Sequence, residues 1–425
     1  MNNTRMPHNT GSRAASRRSF VSAGLMSAFG LSYADEVQAQ SVSTHRSVER
    51  VVSIFLAGGL SQLESFDPKP DASQAIRGPS GAISTATPGV FFSEWMPRLA
   101  KRSKQFAVLR GVSHNVDFHI QGETLLMTGI RDARSETPSL GSVVSRFGPD
   151  SGDVPAYAAV PSLPPNAGEL GQSHEPFNAM GDSARLLQLG PDLASSASKE
   201  EFNRRVDLLK RLNVDSRVQR SDSATWARRD AYAQAVRDLT SPRLRSLSNT
   251  DQESQSVRDA YGETEAGRFL LTTRRLLETG IRFVTVRLAG WDTHANHFAE
   301  LKTLVPPVDQ AFAAFLDDLT SRDLLKSTLV IVSTEFGRTP AINSMAGRDH
   351  SPQAFSCLMA GGRIKGGVVM GATDQIAGEV TEGLCTPQDL AATVLSEVGI
   401  PPLRTFVPPT GRVVLPEGRL LTELF

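Results

Sequence analysis

Three widely separated runs constrain this chain more than any other feature: ERVVSIFLAGG at 49–59, IRFVTVRLAG at 281–290 and STLVIVSTEFG at 327–337. Each is an apolar, β-branched stretch of strand length that ends near glycine, the pattern of a strand buried inside a sheet. QFAVLRGVSHN at 105–115 reads the same way. Helical patterns fall between them. FSEWMPRLAKRS precedes the 105–115 strand, and HIQGETLLMTG follows it, with a glycine stop at Gly129. TRRLLETG ends a helix at Gly280, VPPVDQAFAAFLDDLTSR is amphipathic, and TPQDLAATVLSEVGIPP opens on Thr-Pro and closes on Gly-Ile-Pro-Pro. Strand alternating with helix predicts an α/β fold.

Other segments interrupt this rhythm. Residues 150–200 are rich in Pro, Gly and Ser, with short strand-like pieces such as VPAYAAV, and GGRIKGGVVMG reads as a Gly-rich turn or hairpin. From about 198 to 280 the chain is helical and highly charged, with acidic residues interleaved among Arg and Lys. That is a solvated face, and it predicts a helical insertion packed beside the sheet, over its active edge. Lys+Arg and Asp+Glu both number 45, so there is no global attraction to nucleic acid or to anionic lipid.

The first 39 residues read as an export signal. Arg17 and Arg18 in SRRSFV precede the uncharged VSAGLMSAFGLSYA, and the small-residue ending VQA predicts cleavage after Ala39. Spanning a bilayer takes roughly 20 apolar residues, more than this stretch supplies, so no membrane anchor is expected after cleavage. Cleavage would remove Arg5, Arg13, Arg17 and Arg18 together with Asp35 and Glu36, leaving the exported chain nearly neutral. Residues 40–47 then form a Ser-containing joint. The two cysteines, Cys357 and Cys385, are too few for a disulfide scaffold; Cys357 lies in the apolar run AFSCLMAGG and reads as a buried, inert thiol.

The chemistry collects after the strands. Ligands of open α/β sheets bind beyond the carboxyl ends of the strands, where loops from distant parts of the sequence converge. Glu64, Asp67 and Lys69 follow the first strand, His114, Asp117 and His119 the second, Asp292, His294 and His297 the third, and Glu335 and Arg338 the fourth. Asp349 and His350 come soon after. Five of the eight histidines lie in these loops. Imidazole and carboxylate without thiolate suit zinc, manganese or iron rather than calcium. Any one pair taken alone has an ordinary structural explanation: Asp67 capping a turn, Glu335 paired with Arg338, Asp349 bonded to its own loop.

GGLSQLESFDPKP, GVSHNVDFHIQGETLLMTG, GWDTHANHF, STEFGRTP and GRDHSP resemble, in order and phrasing, the family known as domain of unknown function 1501, from about residue 48 to the C-terminus. That family is similar to the alkaline phosphatase and sulfatase superfamily. The resemblance implies a single domain at 48–425 with a central, mostly parallel sheet flanked by helices. It also implies export by the twin-arginine route to the periplasm, one or two divalent metals at the sheet edge with zinc or manganese expected first, and an exported protein partner.

Carried over by position, Asp292 with His294 or His297 occupies the superfamily's ligand loop, Glu335 stands where an aspartate precedes histidine, and Asp349 with His350 stands for the late histidine. His119 replaces the expected Ser, Thr or modified Cys nucleophile, as a ligand or as a transient phosphoryl acceptor. Gly58 and Gly59 displace the usual first aspartate, so Glu64 or Asp67 must substitute for it. Phe336 takes the place of a second-site histidine, which favours one metal over two. The expected activity is metal-dependent hydrolysis of a small anionic phosphate or sulfate ester, with Arg338 or Lys69 holding the anion. The competing expectation is an exported binding or scaffold protein that keeps this fold without turnover.

Overall fold

The computed structural model describes residues 47–180, 200–201, 204, 207–208, 237–238, 241–245, 253–400, 405–406 and 413–425. The expected signal, most of the joint and much of the charged segment after 198 lie outside the described residues. Eight strands form the central sheet: β1 Arg50–Ala57, β2 Phe106–Val112, β3 Tyr157–Val160, β4 Phe177–Asn178, β5 Phe283–Ala289, β6 Thr328–Ser333, β7 Phe355–Ala360 and β8 Val369–Met370. Their spatial order is β8-β2-β7-β6-β1-β5-β3-β4. β7 pairs antiparallel with both of its neighbours, and every other pairing in the sheet is parallel. The expected mostly parallel sheet is therefore present, and β1 lies inside it, with Val51 opposite Phe283 of β5 and Leu329 of β6.

The single reversal matters for the site. β1, β2, β5 and β6 all end at one edge, whereas β7 starts there, so the residues just before β7 reach the same edge as the loops that follow the other four. From its sequence, AFSCLMAGG signals only burial and a thiol; the structure makes it the strand between β2 and β6. Cys357 is fully buried, and burial pushes its thiol up to about 12; both cysteines are free.

Alternate residues of each strand serve opposite faces, because successive side chains point to opposite sides of a pleated strand. Val52, Ile54, Val284, Val286, Val330 and Val332 pack in one core cluster, and Val51, Phe283, Leu329 and Ile331 in the other. Six helices matter here: α1 Pro97–Arg102, α2 His119–Thr128, α3 Leu140–Phe147, α4 Glu265–Thr279, α5 His297–Ser321 and α6 Pro387–Glu397. Buried residues of α1, α4 and α5 join the first cluster and those of α3 and α6 the second. Sheet faces covered on both sides are why the strands read as mostly apolar runs, broken only by residues such as Ser53, Thr285 and Arg287.

The helix ends follow local chemistry. The Thr264 side chain accepts a hydrogen bond from the Gly267 N–H at the start of α4, and left-handed Gly280 ends that helix. Thr386 and Asp389 form a reciprocal capping box on α6. Left-handed Gly129 closes α2. α5 departs from the sequence expectation: it begins at His297 and runs through Pro306 and Pro307 rather than starting beside them. A proline within a helix removes one backbone donor and crowds the preceding turn, but buried Leu301, Val305 and Val308 hold that segment against the core.

α1 starts with Pro97 and has no side-chain cap of its own. Its exposed donors are instead taken by α5, where buried Asp309 accepts hydrogen bonds from the N–H groups of Arg98 at 2.9 Å and Leu99 at 2.8 Å. Replacing Asp309 with Ala leaves two donors unmatched and should lower unfolding free energy by about 1–3 kcal/mol. Urea titration measures this; a change within about 0.5 kcal/mol would show that the carboxylate does not anchor α1.

Candidate metal centre

The turn after β1 sets the spacing of the site edge. Gly58 has φ +124°, and a Cβ there would meet the backbone nitrogen of Asp292 at 2.4 Å. Only glycine lets the β1 turn and the β5 loop run this close. The same constraint recurs beyond β6, where a Cβ on Gly347 would lie 1.8 Å from the carbonyl oxygen of His294. The loop before β7 is thereby laid against the loop after β5.

Three imidazoles surround Asp292. His119 Nε2 lies 3.2 Å from Asp292 Oδ2, and the Nε2 atoms of His294 and His350 each lie 3.1 Å from Oδ1. The two latter Nε2 atoms are 2.9 Å apart. In each ring the other nitrogen faces oxygen: His119 Nδ1 meets Glu335 Oε1 at 2.7 Å, His294 Nδ1 meets Asp349 Oδ1 at 2.9 Å, and His350 Nδ1 meets the Asp117 carbonyl at 2.7 Å. A carbonyl or an ionised carboxylate only accepts, so each Nδ1 carries a proton; in the neutral ring that leaves each Nε2 with a lone pair on the side of Asp292. Neutral rings so placed about one carboxylate repel it unless a cation, a proton or a metal ion, sits among them.

Burial pulls the His350 imidazole below its usual value, against the raising influence of Asp292 and of the Asp117 carbonyl. For Asp292 burial acts upward, but the hydrogen bonds from Arg338 and from His350 and the Arg338 charge outweigh it and hold the carboxyl far below the carboxylate range. The His294 ring holds Asp349 low in the same sense.

His119, Asp292 and His350 offer ligand atoms that all lie within 4.8 Å of one another, a group able to hold a metal ion. The Nε2 atom of His119 is buried without a hydrogen-bond partner, as expected of a nitrogen reserved for an ion. Oxygen partners on the remote nitrogens are also how metal-ligating histidines are oriented. The donor set fits a divalent cation. The Asp292 side chain is 46% exposed, so the group is open on that side.

Other expected site residues take different places. Glu335 is buried, accepts from the Gly58 N–H at 2.8 Å and orients His119. Asp349 orients His294. Arg338 is fully buried: its guanidinium donates to the carbonyls of Gly59 at 2.9 Å, Arg348 and Trp291 each at 3.0 Å, and Gly58, and to Asp292 Oδ1 at 2.8 Å. It is a strut beneath Asp292 with no face for an anion. Phe336 lies under the cluster, its ring centroid 5.0 Å from that of His119 and 4.2 Å from that of His350. His114 donates to the Glu335 carbonyl at 2.6 Å.

Four expected residues, His297, Asp67, Lys69 and Glu64, are not brought to the cluster. His297 is fully buried, with Nδ1 2.6 Å from Thr293 Oγ1 and Nε2 2.9 Å from Glu64, so neither nitrogen is left for an ion. Asp67 and Lys69 pair with each other at 3.2 Å, and Asp67 also meets Arg110 at 3.4 Å and Thr373. Glu64, weighed as a substitute ligand, binds Arg348 Nη2 at 2.7 Å instead. Arg348 and Asn343 carry no signal of their role in the sequence. Asn343 donates to the His294 carbonyl at 3.0 Å and to Asp349 Oδ1 at 3.2 Å, and no local pattern marks such a bridging amide.

The fold and this cluster define an α/β protein with a cation-competent imidazole–carboxylate centre at the carboxyl edge of its sheet. The chain belongs to the family described as protein of unknown function DUF1501, whose family model matches residues 48–425. No curated protein matches the sequence. Among solved structures it is similar to a protein described for glycosaminoglycan metabolism by Bacteroides thetaiotaomicron, at 12% identity and TM-score 0.40, covering 83% of this chain and 73% of that one. It is similar also to the PsFucS1 sulfatase from Pseudoalteromonas sp., at 13% and 0.37, covering 84% and 68%. A third is a mutant TAB5 alkaline phosphatase with Mg bound, at 12% and 0.35, covering 76% and 94%. No described helix is long and apolar enough to cross a membrane.

The buried Glu64 network carries a pH signature. Burial acts to raise the Glu64 carboxyl, but His297 and Arg348 outweigh it and leave it below its ordinary value of 4.5. A depressed carboxyl stabilises the fold fully above the unfolded value and loses that contribution as pH falls through the folded one. Glu64→Gln should therefore lower stability by about 3–5 kcal/mol near neutral pH. The gap to the unaltered protein should be constant above about pH 4.5 and shrink below it. Denaturation midpoints against pH test this, and a gap independent of acid would overturn it.

Proposed function

We propose that this chain binds one divalent cation, zinc or manganese, through His119, Asp292, His294 and His350, and uses it to hydrolyse a phosphate or sulfate ester after export by the twin-arginine route. One observation carries the reading: three Nε2 atoms, each with an oxygen on the opposite nitrogen of its ring, gather about one carboxylate. A divalent cation supplies Lewis acidity there, favouring ionisation of a water and stabilising negative charge on an ester oxygen. The chain's own residues do the rest. Glu335, Asp349 and the Asp117 carbonyl hold the Nδ1 protons, Arg338 fixes Asp292, and Phe336 provides an apolar floor in place of further ligands, which favours one ion over two.

The exposed side of Asp292 leaves room for a substrate oxygen, as a catalytic site requires and a closed structural site does not. His119 supports the reading as a ligand; with Nδ1 tied to Glu335, its only other nitrogen faces the shared centre. A second reading is favoured by the buried state of Arg338: without that guanidinium as an anion clamp, the chain is an exported metal-binding scaffold that engages another exported protein.

Elemental analysis of the purified protein, before and after chelation, is the direct test. We expect one equivalent of metal, lost in Asp292→Ala along with hydrolysis of p-nitrophenyl phosphate or p-nitrophenyl sulfate. Glu335→Gln keeps an acceptor for Gly58 and should weaken metal affinity by about 10–100-fold. Absence of metal from the unaltered protein refutes the centre. Full metal occupancy with no turnover of either ester, or of a wider ester panel, establishes the scaffold.

A further inference from the structure

Of the five histidines in the loops that follow the strands, three surround Asp292 and His297 is sealed against Glu64. The fifth, His114, lies five residues before His119, partly buried in the loop between β2 and α2. Both nitrogens of its ring are engaged. The Val116 N–H donates to Nδ1 at 3.1 Å, so that nitrogen accepts, and the ring proton lies on Nε2, which donates to the Glu335 carbonyl at 2.6 Å. Burial pulls the imidazole below its ordinary value, and the Arg131 charge adds to that against the raising influence of the Glu335 carbonyl, so the ring is neutral near pH 7.

Each of these bonds ends beside an oxygen that orients a ring of the cation centre. Glu335 is the residue whose Oε1 holds His119 Nδ1 at 2.7 Å, and Asp117, next after Val116, is the residue whose carbonyl holds His350 Nδ1 at 2.7 Å. The rest of His114 is fixed as well. Its main-chain N–H donates to the Pro352 carbonyl at 3.0 Å, two residues past His350, and its ring meets that of Phe355 edge-on with centroids 5.3 Å apart. One ring therefore spans the loop after β6 and the loop after β2.

We propose that His114 is a positioning residue of the cation centre: its Nε2 holds Glu335 in register with His119, and its Nδ1 holds the turn that carries the Asp117 carbonyl up to His350. This rests on the metal-centre reading above and deepens it, by naming the group that links the orientation of two separate ligands. A ligand ring whose Nδ1–H has a fixed acceptor is already turned toward the ion, and loosening that acceptor weakens the hold on the metal.

Two substitutions separate the arms. His114→Gln puts an amide N–H near the position of Nε2 and leaves the Val116 N–H without its acceptor; His114→Asn puts an amide oxygen near the position of Nδ1 and leaves the Glu335 carbonyl without its donor. Zinc affinity of the full chain, measured by chelator competition, should fall about tenfold in each, the scale on which groups that orient metal ligands act. In the zinc-loaded chain, solvent exchange of the Nδ1 protons is read by NMR of 15N-labelled histidine. Exchange should quicken at His119 in His114→Asn and at His350 in His114→Gln, and stay unchanged in both at His294, whose Nδ1 faces Asp349 instead. Unchanged zinc affinity in both variants, or exchange that quickens alike at all three rings, overturns the positioning role and leaves the metal centre standing. An unaltered chain that takes up no zinc overturns both.

Discussion

One buried guanidinium gathers the site edge. Arg338 accepts no solvent and is fixed by carbonyl oxygens from the turn after β1, from the loop after β5 and from the loop before β7, as well as by Asp292. Burying a guanidinium is costly unless its donors are matched and its charge is opposed. Burial does lower its proton affinity, while Asp292 acts to raise it. Because one group satisfies carbonyls from separate loops, none of those loops can move without leaving a buried donor or acceptor unmatched. The imidazoles are thus presented on a rigid edge, even though His119 lies 175 residues before His294 and His294 lies 56 before His350.

A second buried arginine does similar work a few residues away with a different outcome. Arg348 binds Glu64 by two contacts, Nη2 at 2.7 Å and Nε at 3.2 Å, and reaches the carbonyls of Thr339, Pro340 and Ile76. His297 completes that network from the start of α5. Both arginines oppose a carboxylate, but Glu64 is sealed and has every oxygen occupied, whereas Asp292 keeps an exposed flank among imidazole nitrogens. The difference in exposure separates a structural ion pair from a group competent to share a cation.

The fold was largely legible in the sequence because burial on both faces leaves a plain signature. β1, β5 and β6 read as mostly apolar, β-branched runs, and Gly129, Gly280 and the Thr386 box mark helix ends through local backbone chemistry. β7 is not evident as a strand in the sequence, since six buried residues without flanking alternation do not reveal their direction. The start of α5 was misplaced because Pro306 and Pro307 are boundary signals locally, and packing of Leu301 and Val305 overrode them. Within the site, the sequence singled out His119, Asp292, His294 and His350, which do meet, together with His297 and Asp67, which do not.

Residue type and position after a strand are properties of the chain itself, and they sufficed to place imidazoles and carboxylates at one edge of an α/β sheet. What they could not divide is function among neighbours: His294 and His297 are three residues apart, yet one faces Asp292 and the other is sealed against Glu64. That choice follows from α5 beginning at His297, which turns its ring into the core, and from the antiparallel entry of β7, which brings Asp349 and His350 up to His294. Direction of a strand and register of a helix start are set by packing across the whole sheet. Only the tertiary structure could decide which nitrogens were left free.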